Sequence, residues 1–128
     1  MLKPTGLDHV GLIVTDLEAS LAFYQRLGLE VLRTSGPNAE GVRSAVVRVG
    51  RQELNVFSRP GLVAAGKESP VGMDHFCLRM EAASVDELMA DLRQAGLEIV
   101  RGPVKRRDGT SLFLSDPDGV RVELQLFN

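Results

Sequence analysis

Apolar positions along this chain change rhythm in the same order twice. Leu7 to Val14 alternates, which predicts a strand carrying His9, Gly11 and Ile13 on one face. The period then lengthens: Leu17, Leu21, Tyr24 and Leu27 recur at helical spacing, and Thr15 with Glu18 three residues on has the form of a capping box. Gly28 is placed to end that helix, because a glycine accepts the left-handed backbone that closes a helix. Strands are predicted at Leu29–Arg33, Val42–Val49 and Gln52–Ser58, separated by a Gly/Pro/Asn loop over 36–41 and a turn at Gly50-Arg51.

The second half repeats the pattern. A strand is predicted from His75 to Met80, then a helix capped by Ser84 with Val85, Leu88, Met89, Leu92 and Ala95 on its apolar face. Gly96 closes it. Leu97–Val100 reads as a strand broken by Gly102-Pro103, and strands at Ser111–Ser115 and Val120–Phe127 flank Asp116-Pro117-Asp118-Gly119. In that turn proline fixes φ and glycine accepts a positive one. Each half is therefore expected to be β-α-β-β-β, an α+β architecture built of modules 5–58 and 73–128 joined by a connector over 59–72.

The two copies match residue by residue. Leu7-Asp8-His9-Val10 is echoed by Met73-Asp74-His75-Phe76, and Leu27-Gly28-Leu29-Glu30-Val31 by Ala95-Gly96-Leu97-Glu98-Ile99. Gln52-Glu53-Leu54-Asn55-Val56-Phe57 is echoed by Val122-Glu123-Leu124-Gln125-Leu126-Phe127, which sets Glu53 against Glu123. A fixed internal period fixes architecture, since one unit is then present twice.

Composition narrows the field of functions. At 128 residues, 44% hydrophobic and 25% charged, the chain has the size and make-up of a soluble globular domain. A net charge of −2 gives no reason to expect nucleic acid or an anionic membrane as partner. No apolar run approaches a membrane span, and the first residues lack the basic region and long apolar stretch of a secretory leader, so none is expected. One cysteine, Cys77, permits no internal disulfide, so a cytoplasmic setting is expected.

Both histidines of the chain open a module, and a glutamate lies near the end of each. If His9, His75 and Glu123 face a common cleft, they form a two-His-one-carboxylate set suited to Fe, Zn, Ni, Co or Mn. Their bland counterparts are a hydrogen-bonded rim histidine and a solvated strand glutamate. Lys105-Arg106-Arg107, with Arg101 nearby, reads either as a holder for an anionic substrate tail or as a solvated hairpin. Cys77, two residues from His75, reads either as lining the cleft on the same face or, in preference, as a small buried hydrophobe.

These stretches, with Ala22-Phe23-Tyr24-Gln25-Arg26-Leu27-Gly28 and Asp116-Pro117-Asp118-Gly119 through Leu124, resemble the vicinal-oxygen-chelate superfamily, also called the glyoxalase/bleomycin-resistance/dioxygenase family. The resemblance implies one domain over 1–128, paired βαβββ modules forming a curved mixed sheet around a cleft, and a divalent metal ion there. By position it implies His9, His75 and Glu123 as ligands. Either Glu53 or Asn55 would be the fourth ligand or a base: the local apolar-X-apolar pattern favours Asn55, and the internal repeat favours Glu53. A small-molecule substrate and a homodimer are implied as well.

The expected reaction is proton transfer next to a metal-chelated carbonyl, as in a lyase or epimerase of glyoxalase type, with Glu123 or Glu53 moving the proton. An Fe(II) extradiol dioxygenase ranks second, because its members usually bring further His and Tyr residues to the metal. Here both histidines are already assigned. A metal-free resistance protein that binds a small molecule ranks third, because such members generally lack the ligands.

Overall fold

The computed structural model describes residues 1, 3, 5, 7–61 and 73–128. Among these, ten elements follow in the order β1 (His9–Ile13), α1 (Leu17–Arg26), β2 (Glu30–Ser35), β3 (Arg43–Val49), β4 (Gln52–Ser58), β5 (Phe76–Met80), α2 (Val85–Gln94), β6 (Arg101–Arg106), β7 (Gly109–Ser115) and β8 (Arg121–Phe127). They fall into two compact units, β1 through β4 and β5 through β8. Each unit is βαβββ with one mixed four-stranded sheet, ordered β1-β4-β3-β2 and β5-β8-β7-β6. The opening strand runs parallel to the last strand of its unit, and the other pairings are antiparallel. Most of the expected connector, 62–72, lies outside the described residues.

Strand alternation divides each sheet into an apolar face and a face bearing polar groups. In the first unit Leu12, Ala45, Val47, Leu54 and Val56 are buried on one side, and α1 lies against β3 and β4. In the second, the rows Leu78–Leu124–Leu112 and Phe76–Val122–Leu114 are buried together. Val122, Leu124 and Leu114 have no exposed surface, so truncating one to alanine costs roughly 2–5 kcal/mol for a leucine. The opposite faces carry His9, Glu53 and Asn55 in one unit and Cys77 and Glu123 in the other, as alternation dictates.

The helices end as the sequence predicts. The amide of Gly28 donates to Gln25 O and that of Leu29 to Tyr24 O, with Gly28 at φ +96. Gly96 and Leu97 close α2 in the same way, onto Arg93 O and Leu92 O. Both patterns satisfy carbonyls that would otherwise lack donors at a helix terminus. Ser84 caps α2, its hydroxyl accepting from the Glu87 amide at 3.1 Å.

Three local expectations are corrected. The first helix is capped by Asp16, one residue beyond Thr15, because the Asp16 carboxylate accepts from the Ala19 amide at 3.1 Å. Leu97–Val100 is not a strand: the Leu97 amide is taken by the helix closure, and the strand begins at Arg101. Gly102-Pro103 does not break a strand but lies inside β6, where it forms a bulge.

The 116–119 turn is tied by its first side chain. Asp116 Oδ1 accepts from the amides of Asp118 (2.9 Å) and Val120 (2.8 Å), and Asp116 O accepts from Gly119 N at 3.0 Å. This loop sets where β8 begins, and hence the register of Glu123 against its neighbours.

Candidate metal centre

Alternation and pairing together gather the chemistry of the second unit around Glu123. Its carboxylate is almost fully buried, with the side chain 9% exposed, and both oxygens are engaged. Oε1 lies 2.9 Å from His75 Nε2, and Oε2 accepts from the Ser111 hydroxyl at 2.6 Å. The other imidazole nitrogen, Nδ1, lies 2.7 Å from Asp74 Oδ2. Asp74 in turn receives Arg121 Nη1 at 3.2 Å. The hydrogen bond to His75, followed by the charge of Arg121, holds the Asp74 carboxyl below its ordinary range. A carboxylate behind Nδ1 fixes the ring orientation and presents Nε2 as the working nitrogen.

The first unit repeats half of this. His9 Nδ1 lies 2.9 Å from Asp8 Oδ2, so here too the Asp-His dipeptide places a carboxylate behind the imidazole. Sheet register then shows how Glu53 and Asn55 each relate to Glu123. Gly11 pairs with Asn55 across β1 and β4, and Cys77 pairs with Glu123 across β5 and β8. Gly11 and Cys77 each stand two residues past their histidine. Asn55 is thus the positional counterpart of Glu123, and the sequence-repeat match of Glu53 to Glu123 is off by one pleat repeat. Glu53 pairs with His9 itself. Asn55 Oδ1 is buried and has no hydrogen-bond partner among the described residues.

Of the expected site residues, the structure brings His75 and Glu123 into contact and sets Glu53 and Asn55 beside His9 and Gly11. Among the described residues, no group of three or more His, Cys, Asp or Glu side chains forms a ready cage for a metal ion.

The family model for the glyoxalase/bleomycin resistance protein/dioxygenase superfamily matches residues 6–124. The chain belongs to this superfamily. It is 33% identical over 121 residues to lactoylglutathione lyase of Escherichia coli O157:H7, covering 91% of this chain and 88% of the lyase. To the mitochondrial methylmalonyl-CoA epimerase of Bos taurus it is 29% identical, covering 93% and 73%. Among solved structures, a glyoxalase family protein from Enterococcus faecalis superposes with a TM-score of 0.78 at 25% identity, covering 94% of this chain and 96% of that one.

On this glyoxalase-type frame the structure adds residues that alternation alone does not reveal. Arg101 pairs with Phe113, which pairs with Glu123; Arg33 pairs with Val46, which pairs with Asn55. Each unit therefore carries an arginine in the row of its candidate ligand. In both units a register shift brings it there, between Val31 and Arg33 and between Arg101 and Val104. The only advance signal was Gly102-Pro103.

For Cys77 the buried-hydrophobe expectation is corrected. It is an exposed residue on the Glu123 face. Desolvation of its thiol, followed by the Glu123 charge and opposed by Arg106, pushes it up to about 11. At neutral pH it is a thiol, which makes it a poor nucleophile. The first unit also has a cavity of about 170 Å³ lined by Ile13, Val42, Phe57, Ser58 and Arg59. The Ile13–Phe57 pair is the next same-face row beyond Gly11–Asn55.

Proposed function

We propose that this protein is a divalent-metal-dependent enzyme of glyoxalase or epimerase type, moving a proton next to a carbonyl of a small molecule. The observation that carries this reading is the Asp74–His75–Glu123 chain, in which an imidazole backed by one carboxylate at Nδ1 turns Nε2 toward a second, buried one at 2.9 Å. Such a carboxylate–histidine pairing is the usual support of a metal ligand.

The residues fit the ion that the superfamily implies. His9, His75 and Glu123 are the proposed ligands, with Asn55 as the fourth. Asn55 Oδ1 is a buried acceptor without a donor, an arrangement that costs about 1–3 kcal/mol unless something satisfies it. A cation would do so. Two imidazoles, one carboxylate and one amide oxygen suit Ni, Co, Zn, Mn or Fe. When bound, the ion would polarise a substrate carbonyl and stabilise negative charge on its oxygen.

The chain's own groups would then divide the remaining work. Glu123, with both oxygens engaged, serves as a ligand rather than as the mobile base. Glu53, half-buried on the Asn55 face and level with His9, carries the proton. The Ile13–Phe57 cavity takes an apolar part of the substrate. A homodimer is the proposed assembly.

The test has two readouts. Elemental analysis of wild-type protein is expected to find a divalent transition metal, lost in His75→Ala and in Glu123→Gln. Metal-loaded wild type is expected to exchange solvent deuterium into the carbon next to the carbonyl of a 2-oxo compound or of methylmalonyl-CoA. Glu53→Gln is expected to keep the metal and lose the exchange. Wild type that takes up no divalent ion would overturn the reading.

A further inference from the structure

The face that presents His75 and Glu123 also presents two guanidinium groups. Arg101 lies over the Phe113 ring with its guanidinium carbon 5.2 Å from the centroid, and Arg106 lies 5.8 Å from the same centroid. The Phe113 ring meets His75 edge-on at 6.5 Å. Arg106 donates from Nε to the Ser111 hydroxyl at 3.3 Å, and its Nη2 is 4.0 Å from Glu123 Oε2. One aromatic ring is therefore flanked by an imidazole and two arginines, with the buried carboxylate behind them.

This arrangement does not come from a regular strand. Arg101 and Arg106 are five residues apart, so simple alternation would send them to opposite faces. Between Arg101 and Val104, β6 spends three steps where β7 spends two, since Arg101 pairs with Phe113 and Val104 with Ser111. The extra residue returns Arg101 to the face of Arg106, which pairs with Gly109. Gly102 makes this possible. It sits at φ +106, and a Cβ there would meet Ser111 O at 2.7 Å. Bulges of this kind re-aim side chains next to sites.

Neither arginine is used up in neutralising Glu123. Its Oε2 is already satisfied by Ser111 at 2.6 Å, and Arg106 reaches it only at the edge of ion-pair distance while its side chain stays 40% exposed. Two positive groups beside one shared carboxylate leave a net positive face, and a divalent ion would add to it. Guanidinium forks bind two-oxygen anions in a bidentate way, and ring stacking holds their planes in place.

We infer that Arg101 and Arg106 form an oxyanion subsite, so that the substrate carries a carboxylate or phosphoryl group near the carbonyl it presents to the site. The inference rests on the proposed function and names its substrate class. Lys105 is the built-in control, because it pairs with Thr110 and alternates away from Arg106.

The test titrates metal-free protein, and separately zinc-loaded protein, with three probes of similar shape: pyruvate, methylphosphonate and the neutral 2,3-butanedione. Binding is read from amide chemical shifts, and metal uptake is measured on the same samples. At least one anion is expected to shift the Arg101, Ser111 and Phe113 signals and to bind more tightly than butanedione. Its affinity is expected to fall at least about tenfold in R101Q/R106Q, to fall less in R101K/R106K, and to hold in K105Q. A carboxylate-only or a phosphonate-only response assigns the oxyanion. The inference is overturned if butanedione binds as well as both anions, if neither anion binds, or if R101Q/R106Q binds as well as wild type. Failure of the metal reading is separate: wild type would then take up no ion, while the arginine-dependent anion response remained.

Discussion

Asn55 stands beside Gly11 at the register position that Glu123 holds beside Cys77. One unit thus offers a neutral amide where the other offers a carboxylate. The amide oxygen is buried without a partner, whereas Glu123 has two. This asymmetry shapes the first prediction. Asn55→Glu is expected to bind zinc at least about tenfold more tightly than wild type, since a carboxylate is the stronger ligand. Competition against a chromogenic chelator measures it, and unchanged affinity would remove Asn55 from the ligand set.

The same orphaned oxygen predicts a stability effect of opposite sign. In EDTA, Asn55→Leu is expected to be more stable than wild type by about 1–3 kcal/mol, because it replaces an unsatisfied buried acceptor with an apolar group. Added zinc is expected to raise the melting temperature of wild type by more than that of the variant, which keeps the other three proposed ligands. Thermal unfolding with and without metal reads both.

Carboxylates behind the imidazoles are expected to matter although they are not themselves proposed ligands. Asp74→Asn and Asp8→Asn replace the carboxylates at Nδ1 of His75 and His9 with neutral amides, removing the charge that makes each imidazole a better ligand. Each is expected to weaken zinc binding by about 10–100-fold while leaving the fold intact. Circular dichroism checks the fold, and calorimetric titration checks the affinity.

Much of this site was legible as residue types and little of it as rows. The twin Asp-His motifs, the glycine helix closures and the Asp116 turn each act through neighbours a few positions away, so spacing displays them. Whether Glu53 or Asn55 matches Glu123 depends on which residue of β1 faces which residue of β4. Both candidates have the same parity, so alternation could not choose between them; pairing with Gly11 does. Arg101 was harder still. Its face depends on one extra residue at a bulge, and Gly102-Pro103 has the composition of a break and the geometry of a bulge.

An ion pair away from the site supplies a pH test. Arg43 bridges to Glu18, with Nη1 to Oε2 at 2.9 Å and a second contact from Nη2 to Oε1, tying β3 to the first turn of α1. The hydrogen bond from Arg43 holds the Glu18 carboxyl below its usual 4.5. A carboxyl lowered in the folded state adds stability above the unfolded value and loses it as pH falls through the folded one. Wild type is therefore expected to exceed Glu18→Gln in stability at pH 7 by a small margin, as exposed pairs do. That margin is expected to vanish as the pH is lowered below 4.5. Urea unfolding of both proteins across that range measures it.

The bulge gives the last prediction, because it links backbone strain to substrate recognition. A side chain at 102 would have to adopt φ +106, and its Cβ would press on the Ser111 carbonyl, a backbone atom that cannot swing aside. Gly102→Ala is thus expected to destabilise the protein by about 1–3 kcal/mol in urea. Ser111 holds both Glu123 and Arg106, so a backbone shift there is transmitted to each. The variant is expected to lose affinity for the anionic probe even at temperatures where it is fully folded. Gly28→Ala, also at positive φ but with open space around its Cβ and in the other unit, is expected to lose stability without losing anion binding. Equal loss of binding in both variants would mean that general loosening, not the aim of Arg101, accounts for the effect.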